Sequence, residues 1–468
     1  MMPSRQCAKS IQQSCGRSGR RAMKVILLAA LAAVPLSAAG VRAGVARVDI
    51  TPHGPIWMSG YASRNHPSEG VRQPLWARAL AIEAPSGGRV LIVTTDLVGL
   101  PAEVSGEVAE RARRQFGIER PRLLLNSSHT HTGPVVWPAL STMFDGSSAE
   151  EAKLREYAAL LVDDLVSVIG KAIADLAPAE VAYGFGEAGF AINRREPTAN
   201  GVKIGLNPSG PGDHQVPVMK VSSPDGRVRA VLFAYACHNT TLGGDFYQLT
   251  GDYAGFAEAR LESDYPGATA LFMELCGGDQ NPNPRNTLAL AEQHGETLAA
   301  EVRRVLDSSL TPLRGPMRVA FVVTSLPFAP RQRAEYEADL KNPKASGSQV
   351  RRARRMIEAI DSGHPVREVS YPVQAVRFGK DLTLLALGGE VVVDYDLRAK
   401  REYSGEPLIV AGYSNAVMGY IPSERVLREG GYEAADNLIY YGQPGPFAPG
   451  VEDRVFDAIH KAMKKVGR

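Results

Sequence analysis

Leu123-Leu124-Leu125-Asn126-Ser127-Ser128-His129-Thr130-His131-Thr132-Gly133-Pro134 opens as an apolar run and ends in a turn that carries two histidines. Such a run, bounded by turn residues, reads as a buried strand, and the Gly133-Pro134 pair ends it. Residues two apart in extended backbone point to one side, so both imidazoles are expected to face one cavity. Strand ends that open into loops are where α/β folds place their active sites. The His-x-His spacing by itself fits metal binding or catalysis, and it fits equally two loop histidines with no shared role.

The same grammar recurs twice. Val231-Leu232-Phe233-Ala234-Tyr235-Ala236 is an apolar strand that ends in Cys237-His238-Asn239, and Gly251-Asp252-Tyr253 then opens a helix. Leu384-Leu385-Ala386-Leu387 leads through Gly388-Gly389 to Glu390, which a helix start could also use as a cap. Strand ends bearing His, His and Glu make a donor inventory for a catalytic zinc with an open position. His294 has helical spacing with Leu290, Leu298 and Val302, which predicts a packing role. The stretch Gly412-Tyr413-Ser414-Asn415-Ala416 approximates a nucleophile elbow, with Asp436 and His460 as triad partners. Its last glycine is replaced by Ala416, and too little chain follows Ser414 to build such a fold, so the triad is rejected.

Outward from these motifs, strand and helix patterns alternate. Strands are expected near 44–50, 79–83, 90–96, 122–127, 216–222, 228–236, 269–275, 319–324, 374–378, 382–387 and 408–411, and helices over 102–116, 149–175, 254–262, 288–307 and 452–464. No Ser-, Gly- or Pro-rich linker separates two regimes and no repeat appears, so residues 44–468 are expected to form a single large mixed α/β domain. Residues 331–360 are highly charged with both signs interspersed, which predicts a solvated helical hairpin inserted in that domain.

Composition narrows the function classes. The chain has 468 residues, with 53 Lys and Arg against 50 Asp and Glu. Residues 1–43 hold seven of the basic side chains and no acid, which leaves 46 against 50 and a body near −4. An acidic body argues against nucleic acid. Arg20-Arg21 and Lys24 precede an apolar run over 25–36 that is too short to span a bilayer but suits a signal peptide. Cleavage is expected after Ala43, with Ala39 as the competing site; the pair Arg20-Arg21 weakly resembles a twin-arginine signal, and Met23 offers another start. The body is therefore expected in a periplasm or outside the cell, with no transmembrane segment. Outside the leader only Cys237 and Cys276 remain, too few for a disulfide scaffold, and whether they bond is open.

Taken together, these stretches resemble the neutral/alkaline non-lysosomal ceramidases, zinc-dependent amidases that split ceramide. The likeness runs from Ala46-Arg47-Val48-Asp49-Ile50-Thr51-Pro52 and Gly60-Tyr61-Ala62 to about Glu433. The family's T-H-T-H-S-G-P is similar to Ser128–Pro134, its G-D-x-S-P-N to Gly278-Asp279-Gln280-Asn281-Pro282-Asn283, its Gly-Glu to Gly389-Glu390, and its L-S-N-x-x-x-G-Y to the stretch from Tyr413 to Tyr420. The resemblance implies zinc held by His129, His238, Glu390 and Tyr420. It implies His131 near the reacting carbonyl, a substrate clamp at Asn193-Arg194, and a further tyrosine at Tyr432. The reaction it implies is attack of zinc-bound hydroxide on an amide carbonyl, with the oxyanion held by donors such as His131 and Tyr432 and the leaving amine protonated.

This chain departs from the pattern at Asn281, where the family has serine. Asparagine is no nucleophile but donates a hydrogen bond, so the zinc–water route survives while the substrate stays open. Another N-acyl or O-acyl sugar or small lipid is the alternative, and a non-catalytic binding protein on the same scaffold is the rival of a different class. The family's C-terminal immunoglobulin-like domain is not expected here. Oligomeric state has no handle in the sequence.

Overall fold

Three sheets, each with helices on its outer face, meet along their inner faces. The computed structural model describes residues 40–85 and 88–468, and these form one compact unit. The first sheet has the order Leu123–Ser127, Arg89–Thr95, Trp76–Glu83, Arg42–Asp49, Ala177–Pro178. The second runs Thr269–Glu274, Val228–Tyr235, Gln215–Ser222, Glu180–Glu187, Thr311–Pro312. The third runs Met317–Pro327, Glu368–Phe378, Leu382–Leu387, Leu408–Ala411. Each sheet is antiparallel apart from one parallel pair at its edge: Arg89–Thr95 with Leu123–Ser127, Val228–Tyr235 with Thr269–Glu274, and Leu382–Leu387 with Leu408–Ala411.

Burial explains why these runs read as continuously apolar. Leu80, Ile92 and Leu124 of the first sheet, Met219, Leu232 and Leu271 of the second, and Val376, Leu384 and Ile409 of the third share one core. The opposite faces are covered in turn by the helices Ala102–Phe116 and Ser148–Ala174, Asp252–Asp264 and Leu288–Leu306, and Val451–Lys465. A strand buried on both faces has no reason to alternate. Isolated bridges Asn126 to Ser414 and Leu275 to Ala411 stitch the sheets together where the parallel edges approach.

Most expected elements are present, including the helix Ala102–Phe116 and the strands Leu382–Leu387 and Leu408–Ala411 at their anticipated ends. The strand Glu180–Glu187 lies outside the expected set, although Val181, Tyr183 and Phe185 alternate along it towards the shared core. Gly184 and Gly186 fall on its other face, where an added Cβ would come within 3.0 Å of Leu310, Val305 or Glu301. The charged insertion is the helix pair Arg333–Lys341 and Gly347–Asp361, but it is not wholly solvated: Tyr336, Arg352 and Met356 are buried.

The expected leader lies mostly outside the described residues. Its boundary at residue 43 falls inside the strand Arg42–Asp49, where Ala43 is fully buried and pairs with Ile82 and Ala177.

Candidate metal centre and active site

The parallel edge of each sheet delivers one of the expected donors. His129 follows Leu123–Ser127, His238 follows Val228–Tyr235, and Glu390 follows Leu382–Leu387. Tyr420 arrives by a short parallel ladder in which Glu390–Val391 pairs with Tyr420–Ile421, placing Glu390 directly beside Tyr420. A second short ladder pairs Ala191–Asn193 with Gln280–Pro282 and brings Arg194 to Asn281.

The histidine pair converges by a different route from the one the spacing suggests. The strand ends at Ser127, and His129 has a left-handed backbone with φ 61°. Its turn is held by bonds from His129 N to Leu97 O (2.9 Å) and from His131 N to Asn239 O (3.2 Å). A non-glycine residue in that region is strained and persists only where the surroundings over-determine it. Asn239 explains the Cys-His-Asn grammar: its Nδ2 donates to Ser128 O while its Oδ1 takes Ala254 N at 3.0 Å. Asp252 folds the following loop back by accepting Thr241 N, Leu242 N and Tyr253 N.

The resulting cluster is compact. His129 Nε2 lies 2.9 Å from Glu390 Oε2, His238 Nε2 lies 3.3 Å from the same oxygen, and His238 Nε2 lies 2.9 Å from the Tyr420 oxygen. His131 Nε2 is 3.0 Å from His129 Nε2, and one ligand atom from each of the three histidines falls within a 4.8 Å group. Four donors around a zinc at about 2.0–2.1 Å stand roughly 3.3 Å apart, close to these separations.

Protonation agrees with a cation site. His129 Nδ1 donates to Val98 O at 2.6 Å and His238 Nδ1 to Gly277 O at 2.7 Å, which turns each Nε2 towards the cluster. Burial, reinforced by the Arg194 charge, pushes His238 down to about 3, so it is neutral. Burial and the neighbouring histidines push His131 well below the usual imidazole range. Burial alone would raise Glu390, and positive charge among the groups facing it is what holds its carboxyl well below the usual carboxylate range. Glu390 Oε1 accepts the Tyr441 hydroxyl at 2.5 Å, while Oε2, facing the histidines, has no hydrogen-bond donor. Lone pairs facing one point with one buried oxygen unsatisfied fit a divalent cation.

The remaining expected residues fall around this centre. Tyr432 stacks edge-on to Tyr420 with ring centroids 5.4 Å apart, and Arg194 lies over both rings. Asn281 Oδ1 accepts Arg194 NH1 at 3.1 Å. The Asn193 side chain turns inward instead, to Pro211 O and Asp279 Oδ2, both at 2.9 Å. Tyr441 and Glu433 also belong to the site, and no spacing or composition signal in the sequence marks either one.

Other candidates separate from it. Ser414 Oγ is spent on Gly412 O at 2.7 Å, and His460 pairs with Glu402 at the surface, so no triad forms. His294 is buried, stacks on Phe190 and bonds Pro284 O. Cys237 and Cys276 are both buried and free, which answers whether they bond.

Imidazoles, a carboxylate and a phenol oxygen around one point, at the ends of parallel strands, form the kind of donor set that holds a catalytic divalent cation. The sequence profile of the family described as "Neutral/alkaline non-lysosomal ceramidase, N-terminal" matches residues 41–302, more than half of the chain, and the chain belongs to that family. It is 28% identical over 256 residues to the neutral ceramidase of Pseudomonas aeruginosa, covering 52% of this chain and 37% of that relative. It is 24% identical over 463 residues to the neutral ceramidase of Mycobacterium tuberculosis, covering 82% and 71%. The first match therefore spans well under half of its relative's length. The crystal structure of neutral ceramidase from Pseudomonas aeruginosa superposes with a TM-score of 0.67 at 21% identity, over 88% of this chain and 72% of that one, which establishes the fold. Among the described residues no helix is long and apolar enough to cross a membrane.

Proposed function

We propose that this chain is an exported zinc-dependent amidohydrolase that cleaves an N-acyl, ceramide-like amide, with His129, His238, Glu390 and Tyr420 holding the metal. The observation that carries the reading is the convergence of His129 Nε2, His238 Nε2 and Tyr420 oxygen on Glu390 and on each other, with Glu390 Oε2 left without a donor. A zinc ion held there supplies an acidified water and a Lewis-acid pull on the scissile carbonyl. His131, neutral and placed against His129, would take the proton of the attacking water and give it to the amide nitrogen as the C–N bond breaks, since that amine cannot leave as an anion. Asn281 Nδ2 and the Tyr432 hydroxyl donate to the carbonyl oxygen as it gains charge.

On this reading residues 44–468 are one catalytic domain carrying the helical insertion near 331–360, and the basic-then-apolar order of residues 1–43 directs export. Asparagine in place of the family's serine at position 281 favours keeping a second substrate class in view, an N-acyl or O-acyl sugar or small lipid cleaved at the same centre.

His129→Ala and Glu390→Ala proteins are expected to lose bound zinc by metal analysis, and to lose at least about a thousandfold in hydrolysis of N-acyl sphingosine. Full activity in zinc-free His129→Ala protein would sink the reading. Parallel assays on N-acyl amino acids and acetylated sugars separate the substrate classes. A folded native protein that holds no metal and turns over none of these returns the scaffold to a binding role.

A further inference from the structure

One buried carboxylate at the site has no part in the metal cluster. The guanidinium of Arg194 is committed on all three nitrogens: Nε donates to Glu433 Oε1 at 2.8 Å, NH1 to Asn281 Oδ1 at 3.1 Å, and NH2 to the Tyr420 oxygen at 2.8 Å. Two of those partners belong to the proposed machinery. The third, Glu433, is 1% exposed, and its other oxygen takes Arg195 NH1 at 2.7 Å. Arg195 is anchored in turn by Gly430 O at 2.9 Å and Glu429 Oε2 at 3.1 Å. Each oxygen of Glu433 thus grips a different arginine, and the carboxylate is itself held in place from behind.

The chemistry of the partners gives this arrangement a direction. A guanidinium only donates, so the group of Asn281 that faces Arg194 must be its amide oxygen. Thr240 Oγ1 lies on the same oxygen at 3.4 Å. Asn281 Nδ2 is thereby turned away from Arg194, and it donates to no described residue. A buried arginine whose remaining partners were an amide and a phenol would lack a countercharge and swing towards water. The Glu433 carboxylate at Nε keeps the other two nitrogens aimed at Tyr420 and Asn281.

We propose that Glu433 is a positioning residue of the hydrolytic site: acting through Arg194, it fixes the Tyr420 oxygen and holds the Asn281 amide with Nδ2 free for the acyl carbonyl of the substrate. The nature of that ligand rests on the amidohydrolase reading; the arrangement of Glu433, Arg194, Tyr420 and Asn281 does not. Glu433 touches no reacting atom, and its effect passes entirely through Arg194.

The test compares full-length native protein with Glu433→Gln, Glu433→Asp and Arg194→Lys. Glu433→Gln is expected to lower kcat on N-acyl sphingosine by at least about tenfold with KM within about threefold, and to weaken zinc binding by about tenfold in chelator competition. Glu433→Asp keeps the charge and recovers part of the loss. In an Arg194→Lys background the Glu433→Gln change is expected to be silent, because both act on one element. A kcat within twofold of native in Glu433→Gln, or independent addition of the two substitutions, overturns the proposal. If Glu433→Gln does not fold, Glu433→Asp decides: a kcat several-fold below native supports the proposal, and a native kcat overturns it. If the native protein cleaves no acyl amide, the substrate reading falls on its own, and a crystal structure of Glu433→Gln or Glu433→Asp decides the positioning role. Arg194 released from Tyr420 and Asn281 supports it; Arg194 still holding both overturns it.

Discussion

Two buried arginine clusters in this molecule differ in where their hydrogen-bond donors end. Arg78, on the strand Trp76–Glu83, meets Asp96 at 3.1 Å, Glu258 at 2.9 Å and Glu262 at 3.8 Å, and Glu262 also pairs with Arg47, so two cations face three carboxylates. Burial pushes Asp96 up and Glu258 well above the usual carboxylate range, and the surplus of acid is relieved by a proton. At the other cluster Arg194 and Arg195 share Glu433, with Glu429 a third exposed at the edge. There the surplus is of donors, and it ends on the Tyr420 oxygen and the Asn281 amide. A buried cluster that balances itself is scaffold: Arg78 and its acids lock the first sheet to the helix Asp252–Asp264 and, through Phe272 N on Glu258 Oε1, to the second sheet. A cluster with guanidinium donors to spare points them at a site.

The largest expected effect is at Arg78. Arg78→Met leaves Asp96 and Glu258 buried beside one another without a cation, and the expected cost is about 3–5 kcal/mol in urea unfolding. A loss under 1 kcal/mol would mean that the acids are already neutral without it.

Asn281→Asp gives Arg194 a second carboxylate where it now meets an amide oxygen. Stability is expected to stay within about 1 kcal/mol of native while turnover falls about a hundredfold, because an acceptor replaces the Nδ2 donor. Activity and unfolding midpoint measured on the same preparation separate the two effects.

The smallest effect is a pH slope. Glu258 is raised in the folded chain, so above the unfolded glutamate range near 4.5 the native state holds a proton that the unfolded state has released. Stability from this group is therefore full below about pH 4.5 and declines by up to about 1.4 kcal/mol per pH unit as pH rises towards the folded value. Glu258→Gln imitates the protonated acid, since its oxygen can accept Phe272 N and its amide can donate to Asp96. Unfolding followed from pH 4.5 to 7 is expected to flatten in that variant; an unchanged slope would assign the proton elsewhere.

The charged insertion shows where sequence reasoning stopped short. Interspersed charges foretold a helical hairpin, yet the Tyr336 hydroxyl donates to Pro444 O at 3.1 Å and Arg351 Nε to Thr142 O at 3.1 Å. Thr142 in turn bonds Ile439 O and Tyr440 O, bracing the segment that presents Tyr441 to Glu390. Only a few apolar and aromatic positions do this docking, too few to show in a charged run.

Periodicity, turn residues and strand-end chemistry are local properties of short stretches, and they sufficed for the mixed α/β architecture and for a candidate site at the strand ends that carry His129 with His131, His238 and Glu390. The family resemblance added Tyr420, Arg194, Asn281 and Tyr432. Tertiary structure alone decided how they meet. The ladders Glu390–Val391 with Tyr420–Ile421 and Ala191–Asn193 with Gln280–Pro282 have two and three residues a side, too short for any periodic signal. The left-handed turn at His129 is imposed by Leu97 and Asn239. Glu433 and Tyr441 gain their places from partners 239 and 51 residues away in the chain, and no local pattern encodes contacts across such distances.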